Sequence, residues 1–435
     1  MIINPQVPLH RLILSLSEAL DYVHPLVADH QQRTAYIAIA IARRMGITGP
    51  ELYDLFQAAA LHDIGLIGHE NRIRAVHLRQ LEGVSWHGEL GYELLKDNPL
   101  FARAAEIIRH HHVRWANGQG TDNLGVGVPI ASHILVLADH VERAIDRDTS
   151  VLQQAPRIIS ETAARAGIEF HSDCVDAFCE VAAAEAFWLD AASPRIYALL
   201  LHQADWPVLT IDEVAIRPIA EVFARVVDAA SPWTAVHSAG VTATAVALSE
   251  RLNFSPREQH LMRAAGYLHD LGKLAVPSKI LDKPGRLTPE EYAIVKSHTY
   301  YTFRILDTIG GMPQICEWAA FHHERLDGKG YPFRHAGREL TLGSRIMAVA
   351  DVFTALTEDR PYRDGLSSEA ALAMLTRMAD AGALDADVIA ALHRDHDDIN
   401  ALRRQEQAAY GDGQDRLTNV MQTWSHRADG ALLLA

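Results

Sequence analysis

An all-α fold built as two tandem helical bundles is what this 435-residue sequence predicts. Three observations carry the prediction. Apolar residues recur at spacings of three and four over long stretches. Helix start and stop signals punctuate those stretches, while strand signals are scarce. One ordered set of histidines and aspartates is written twice, which points to a duplicated unit.

The elements follow in chain order. "TSVLQQAPRIISETAARAG" reads as a helix stopped by Gly167. "LLLHQADWPVLTIDEVAIRP" marks the junction between units, with Pro207 and Pro218 flanking the change. "TATAVALSERL" and "EEYAIVKSHTYYTFRILDTI" carry the helical apolar period. The second is announced by Thr288 as cap, Pro289 at the first position and Glu291 three residues after the cap. Residues 1–207 are expected as an N-terminal domain, 208–400 as a C-terminal domain, and 401–435 as a polar, weakly ordered tail.

Bulk composition excludes several classes. A hydrophobic fraction of 49% and a charged fraction of 22% are ordinary for a globular protein. A net charge of −15 argues against broad DNA binding. It leaves room for a small anionic substrate met by local cations. No apolar run approaches the roughly 20 residues that span a bilayer, so no membrane association is expected. "MIINPQVPLHRLILSLSEAL" lacks a basic start with a long apolar run, and three cysteines do not suggest a disulfide framework. A cytoplasmic location is the expectation. His171, Cys174 and Cys179 lack an evident fourth ligand and are set aside as a zinc site.

The 24 histidines fall into a pattern. The second half carries His237, His269-Asp270, His298, His322-His323 and Asp351; the first carries His30, His62-Asp63, His87, His111-His112 and Asp139. The interval from the first histidine to the His-Asp pair is 32 residues in both copies, and from the next histidine to the His-His pair it is 24 in both. The one notable insertion follows the His-Asp histidine, with intervals of 25 and 29. Imidazoles and carboxylates without cysteine suit iron, manganese or zinc in a reactive site rather than a zinc finger. Seven ligands are too many for one tetrahedral ion but suit two. Two cations bridged by a carboxylate such as Asp270, roughly 3.5–4 Å apart, can acidify a shared water and direct it at phosphorus. That chemistry is phosphoester hydrolysis.

The C-terminal copy resembles the HD-GYP family of HD-domain metal phosphohydrolases. The matching segments are "LHDLGKLAVPSKILDKPGRLTPEEY", Ser297-His298, "HHERLDGKGYP" and "RIMAVADVFTALTEDRPYR". The resemblance covers about residues 210 to 390 and implies two tandem HD-domain bundles. It implies hydrolysis of a cyclic dinucleotide, chiefly cyclic di-GMP to the linear pGpG and in some members to GMP. The mixed 3′,3′-cGAMP is the alternative substrate, and a non-catalytic cyclic-dinucleotide receptor is the alternative from another class. It also implies two divalent ions, iron or manganese. His237, His269, Asp270 and Asp351 would hold one; Asp270, His298, His322 and His323 would hold the other. Asp270 and Lys273 would be catalytic, with Lys273, Tyr331, Arg360 and Arg363 contacting substrate. The sequence departs from the family pattern at Gly240, where many members have arginine, and at Thr302, where a helical glycine is usual. Trp233 replaces a glutamate that brings a third metal in some members, so two metals are expected.

The N-terminal copy keeps every expected ligand: His30, His62, Asp63, His87, His111, His112 and Asp139. His110 competes for a place in the pair, although the 24-residue interval favours His111-His112. Leu66 stands where Lys273 does, and neither the Gly-Tyr-Pro run nor the Arg-Pro-Tyr-Arg run has a counterpart. This copy resembles a plain HD domain. It is expected either to hydrolyse a smaller phosphate ester or the linear product, or to act as a regulatory module, the missing lysine favouring regulation. A homodimer or a signalling-protein partner is the expected association.

Overall fold

The computed structural model describes residues 6–22, 28–66, 86–123, 125–202, 206–207, 209–229, 235–358 and 364–432. The chain divides into two compact units. One comprises Pro8–Leu66 and Ile73–Leu209, and the other is centred on Thr210–Thr418. Helices dominate the described residues of both. The strands described are two residues long, such as Asp122–Asn123, which pairs antiparallel with Val126–Gly127 and places Asp122 opposite Gly127.

The N-terminal unit contains α1 (Leu9–Asp21), α2 (His30–Arg44), α3 (Gly49–Leu61), α4 (Trp86–Leu95), α5 (Ala102–Arg109) and α6 (Ile130–Ala144). α7 (Val151–Ala163), α8 (Ser172–Ala182), α9 (Glu185–Ala191) and α10 (Ile196–His202) follow. α2 packs against α3, α6 and α8. Its alternation of small and branched residues, Ala35 to Ala42, is almost wholly buried, so the helix runs through the middle of the bundle. α7 ends at Ala163, and Gly167 takes a positive φ of 73° in the turn beyond it.

The C-terminal unit repeats the plan with α11 (Ile216–Asp228), α12 (His237–Arg251), α13 (Pro256–Leu268), α14 (Ser278–Leu281), α15 (Pro289–Ile309) and α16 (Pro313–Ala320). α17 (Leu342–Thr357), α18 (Ser368–Asp380), α19 (Ala386–Arg394) and, as far as Thr418, α20 (His396–Leu432) complete it. α12 is the central helix and packs against α13 and α17. α13 and α15 open with complete capping boxes, Ser255 with Glu258 and Thr288 with Glu291, each followed by proline. Each box satisfies two backbone donors that would otherwise lack a partner.

Residues 401–435, expected as a weakly ordered tail, are helical through Leu432. Polar composition hid the reason. Arg403, Gln407, Tyr410 and Gln414 recur at helical spacing on one face, and all but Gln407 are buried. Arg225 Nη1 donates to the Tyr410 carbonyl at 3.2 Å, and Gln414 Nε2 donates to the Arg225 carbonyl at 3.1 Å.

Candidate active site

The two ligand sets occupy equivalent places. The first histidine opens the central helix, His30 on α2 and His237 on α12. The His-Asp pairs directly follow α3 and α13. His87 lies on α4 and His298 on α15, and the His-His pairs follow α5 and α16. Asp139 lies on α6 and Asp351 on α17. Five helix positions converge on one point in each bundle.

In the C-terminal unit, Asp270 lies between two groups of ligands. Its Oδ2 is 3.2 Å from His269 Nε2 and 3.9 Å from His237 Nε2. Its Oδ1 is 3.4 Å from His298 Nε2 and 4.0 Å from His322 Nε2. Asp351 Oδ1 is 3.2 Å from His237 Nε2, and its Oδ2 is 3.7 Å from His323 Nδ1. His237, His269 and Asp351 form one metal-compatible trio and His298, His322 and His323 another. All seven predicted ligands therefore meet.

Three histidines are oriented by their own helices. Nδ1–H of His269, His298 and His322 donates to the carbonyl three residues back, Gly266, Val295 and Ala319, at 2.7, 2.6 and 2.7 Å. A carbonyl only accepts, so the proton sits on Nδ1 and Nε2 is left bare toward the centre. The fully buried His269 Nε2 makes no hydrogen bond of good geometry, and neither does His62 Nε2 in the other unit. Bare imidazole nitrogens grouped around carboxylates are the donor set that a borderline divalent cation fills. Burial pushes the His298 imidazole down to about 3, so it stays neutral and ready to ligate.

His237 cannot use this device, because it begins its helix and has no preceding turn. Its Nδ1 instead donates to Glu358 Oε2 at 2.9 Å. Burial works against its imidazolium, but Glu358 and Asp351 outweigh that and raise it to about 10. His30 opens α2 in the same way, and its Nδ1 donates to Glu142 Oε2 at 2.5 Å. These two carboxylates escaped the sequence reading. They stand at different distances from the ligand aspartate, seven residues after Asp351 and three after Asp139, so no repeat reveals them.

The glycine of both His-Asp-x-Gly stretches has a steric cause. A Cβ on Gly272 would lie 2.0 Å from the His298 carbonyl, and one on Gly65 would lie 2.0 Å from that of His87. The loop carrying the aspartate touches the helix carrying the third histidine. Thr302 reinforces this contact: its Oγ1 accepts from Gly272 N at 2.9 Å and donates to the His269 carbonyl at 3.1 Å.

Lys273 Nζ lies 2.5 Å from Asp270 Oδ2, with its side chain 18% exposed. Burial would raise the Asp270 carboxyl, but His269 and Lys273 outweigh it and hold the group well below the usual range. Tyr331 packs its ring on His323, with centroids 4.9 Å apart, and faces Tyr292 at 6.3 Å. The loop is held by buried Glu324, whose Oε1 accepts from Phe333 N and Arg334 N at 2.7 and 3.1 Å. Gly330 fits because a Cβ there would lie 2.5 Å from Arg325 N. A groove of ≈ 600 Å³ adjoins Tyr331 and carries Tyr292, Lys296, Lys329 and Arg334. His323 is 29% exposed while His269 and His322 are at 0%, so the centre is approached from this side. Arg360, Arg363 and Trp233 lie outside the described residues.

The N-terminal set also meets. His87 Nε2 is 3.2 Å from Asp63 Oδ1 and 3.0 Å from both His111 Nε2 and His112 Nε2. His110 turns instead to Asn123 at 3.2 Å, while His111 and His112 join His87 in a metal-compatible trio. His30 Nε2 reaches Asp139 Oδ1 at 3.3 Å and Asp63 Oδ2 at 3.6 Å. The missing lysine has a substitute from another helix. Arg143 Nε donates to Asp139 Oδ1 at 2.7 Å, and its Nη2 lies 3.9 Å from Asp63 Oδ2. The cation thus enters from α6, four residues beyond the ligand aspartate. His171 accepts from Asp173 N and packs on Trp115, away from any metal-compatible trio among the described residues.

HD-domain family models match residues 221–388 and 27–144. A 3′3′-cGAMP-specific phosphodiesterase of Vibrio cholerae is 31% identical over 391 residues, 88% of this chain and 90% of its own length. A cyclic di-GMP phosphodiesterase of Pseudomonas aeruginosa is 40% identical over 141 residues, 32% of this chain and 34% of its own. The crystal structure of a cyclic GMP-AMP-specific phosphodiesterase of V. cholerae superimposes with a TM-score of 0.60 at 26% identity, covering 90% of this chain and 97% of that one. With two HD domains in tandem, likeness to the two V. cholerae enzymes along nearly its whole length and an intact Gly-Tyr-Pro loop, the chain belongs to the HD-GYP-type cyclic-dinucleotide phosphodiesterases of the HD-domain family.

Proposed function

We propose that the C-terminal unit is the hydrolytic centre and cleaves a phosphodiester of a cyclic dinucleotide. The observation that carries this is Asp270, placed between two ligand trios and capped by Lys273 beside an open groove. His237, His269 and Asp351 would hold one divalent ion, iron or manganese; His298, His322 and His323 would hold the second, with Asp270 shared. Such a pair supplies an acidified water and positive charge for the phosphate oxygens.

The chain's own residues do the rest. Lys273 neutralises a phosphate oxygen as a compact point charge. Tyr331 stiffens the half-buried ligand His323 and closes one wall of the groove. Lys296 and Arg334 attract the second phosphate into a groove whose volume suits a nucleotide-sized ligand. Arg360 and Arg363 are proposed as further phosphate grips.

Two substrates are in view. The relatives alike along their whole length are named for 3′3′-cGAMP. Those named for cyclic di-GMP match over about a third of the chain. We therefore rank 3′,3′-cGAMP beside cyclic di-GMP, which the motifs put first. The test is chromatography of products from oxygen-free protein loaded with Fe(II) or Mn(II), offered both substrates, with Asp270→Ala as control. Cleavage absent in the control is the expected result. Binding of both without cleavage by metal-loaded protein would turn the reading to a receptor.

A further inference from the structure

The four histidines with buried Nε2 atoms at the C-terminal centre are oriented in two ways. Three use a carbonyl of their own helix and are fixed by the fold itself. His237 depends on Glu358, which lies just past the end of α17. What holds Glu358 therefore matters. Gln407 of α20 donates from Nε2 to Glu358 Oε1 at 2.6 Å and to the Val236 carbonyl at 3.3 Å. Val236 is the residue before His237. One amide thus ties the orienting carboxylate to the chain entering the ligand helix. Arg403, 3% exposed, fixes that amide by donating from Nη1 to Gln407 Oε1 at 2.7 Å. This leaves Nε2 as the end that faces Glu358.

The N-terminal unit has the same arrangement built from different residues. Arg147 Nη2 donates to Glu142 Oε1 at 2.9 Å, and its Nη1 donates to the Ala28 carbonyl at 2.7 Å, just before His30. In both units a donor clamps the orienting carboxylate and the chain that precedes the first ligand. The two clamps share neither residue type nor position in the repeat. Their recurrence marks a requirement of the site rather than an accident of packing. Gly240 makes room for the C-terminal clamp: a Cβ there would lie 2.5 Å from Gln407 Nε2.

We propose that Gln407 is a positioning residue for the metal centre and that α20 is part of it. Gln407 locks Glu358 against His237, and so sets the affinity of the ion held by His237, His269 and Asp351. The trio of His298, His322 and His323 does not depend on it. The inference rests on the metal-binding reading above. A carboxylate that receives the second ring N–H of a metal-bound imidazole fixes its tautomer and raises its basicity. Removing such a partner typically weakens metal affinity by about 10- to 100-fold.

The test is Mn(II) titration of the full chain by calorimetry, in a His62→Ala, Asp63→Ala background that silences the N-terminal set. The variants are Gln407→Ala, Glu358→Gln, the two combined, and Asp351→Ala, with metal-free melting followed by circular dichroism. The expectation is that Gln407→Ala weakens one of two Mn(II) sites by about tenfold, within the range for such partners. Added to Glu358→Gln, it produces no further loss, because it acts through that carboxylate. An equal loss in both backgrounds, or a lowered melting point with unchanged Mn(II) affinity, overturns the proposal. So does unchanged affinity in Gln407→Ala when Glu358→Gln weakens binding. If Asp351→Ala and Glu358→Gln both bind Mn(II) like the parent, the metal-binding reading fails instead.

Discussion

Replacing Lys273 by leucine gives the C-terminal unit the residue that the N-terminal unit carries at the same place, Leu66. The lysine ammonium lies 2.5 Å from Asp270 and its side chain is 18% exposed. An effective dielectric of about 20 suits such a position, so a phosphate oxyanion about 4 Å from the ammonium gains about 4 kcal/mol. Loosening the contact with Asp270 costs part of this. About 3 kcal/mol remains, which is about a 100-fold loss of rate. The assay is product chromatography at saturating cyclic dinucleotide with metal content measured on the same sample, because Lys273 is not a ligand and both ions should stay. A companion variant adds Ala355→Arg. Ala355 stands four residues after Asp351, as Arg143 stands four after Asp139. That pair copies the N-terminal charge arrangement, placing the cation on Asp351 rather than Asp270, and is expected to retain metal without recovering rate. A Lys273→Leu enzyme within threefold of the parent at full metal loading would refute the reasoning. Full recovery by Ala355→Arg would show that charge matters and its position does not.

Three more outcomes follow from the same geometry. Gly272→Ala and Gly65→Ala should each destabilise by about 3 kcal/mol or more, read by chemical denaturation, because each new Cβ meets a backbone carbonyl at 2.0 Å. Metal-free protein should be most stable near pH 6.5 in calorimetric scans. His30 and His237 are each raised to about 10, so their contribution is full below 6.5 and fades as pH rises toward 10. His111 and His298 are lowered to about 3, so the unfolded chain takes up protons first as pH falls below 6.5. Metal-loaded protein, its imidazoles neutral by ligation, should lose the alkaline slope. Arg143→Met should destabilise the metal-free N-terminal unit by about 3 kcal/mol, since it leaves Asp139 and Asp63 to share His30 as a cation, and added Mn(II) should recover most of that in a thermal melt.

The sequence alone determined the helical class, the duplication and all fourteen candidate ligands. Their intervals are set by helix lengths, and a duplicated bundle must keep its helix lengths to keep its ligands converging. It also announced the cap at Thr288, which is local by nature. Tertiary structure decided what lies around the ligands. Glu358, 121 residues from His237, and Glu142, 112 from His30, become partners only when the bundles close. The same holds for Arg143, which takes over from an absent lysine by reaching in from another helix. It holds for Gln407, which turns a segment that reads as a polar tail into part of the site. A ligand at the start of a helix lacks the preceding turn that orients the others. Its orientation must come from a distant residue, and the position of that residue is written in the packing rather than in the spacing.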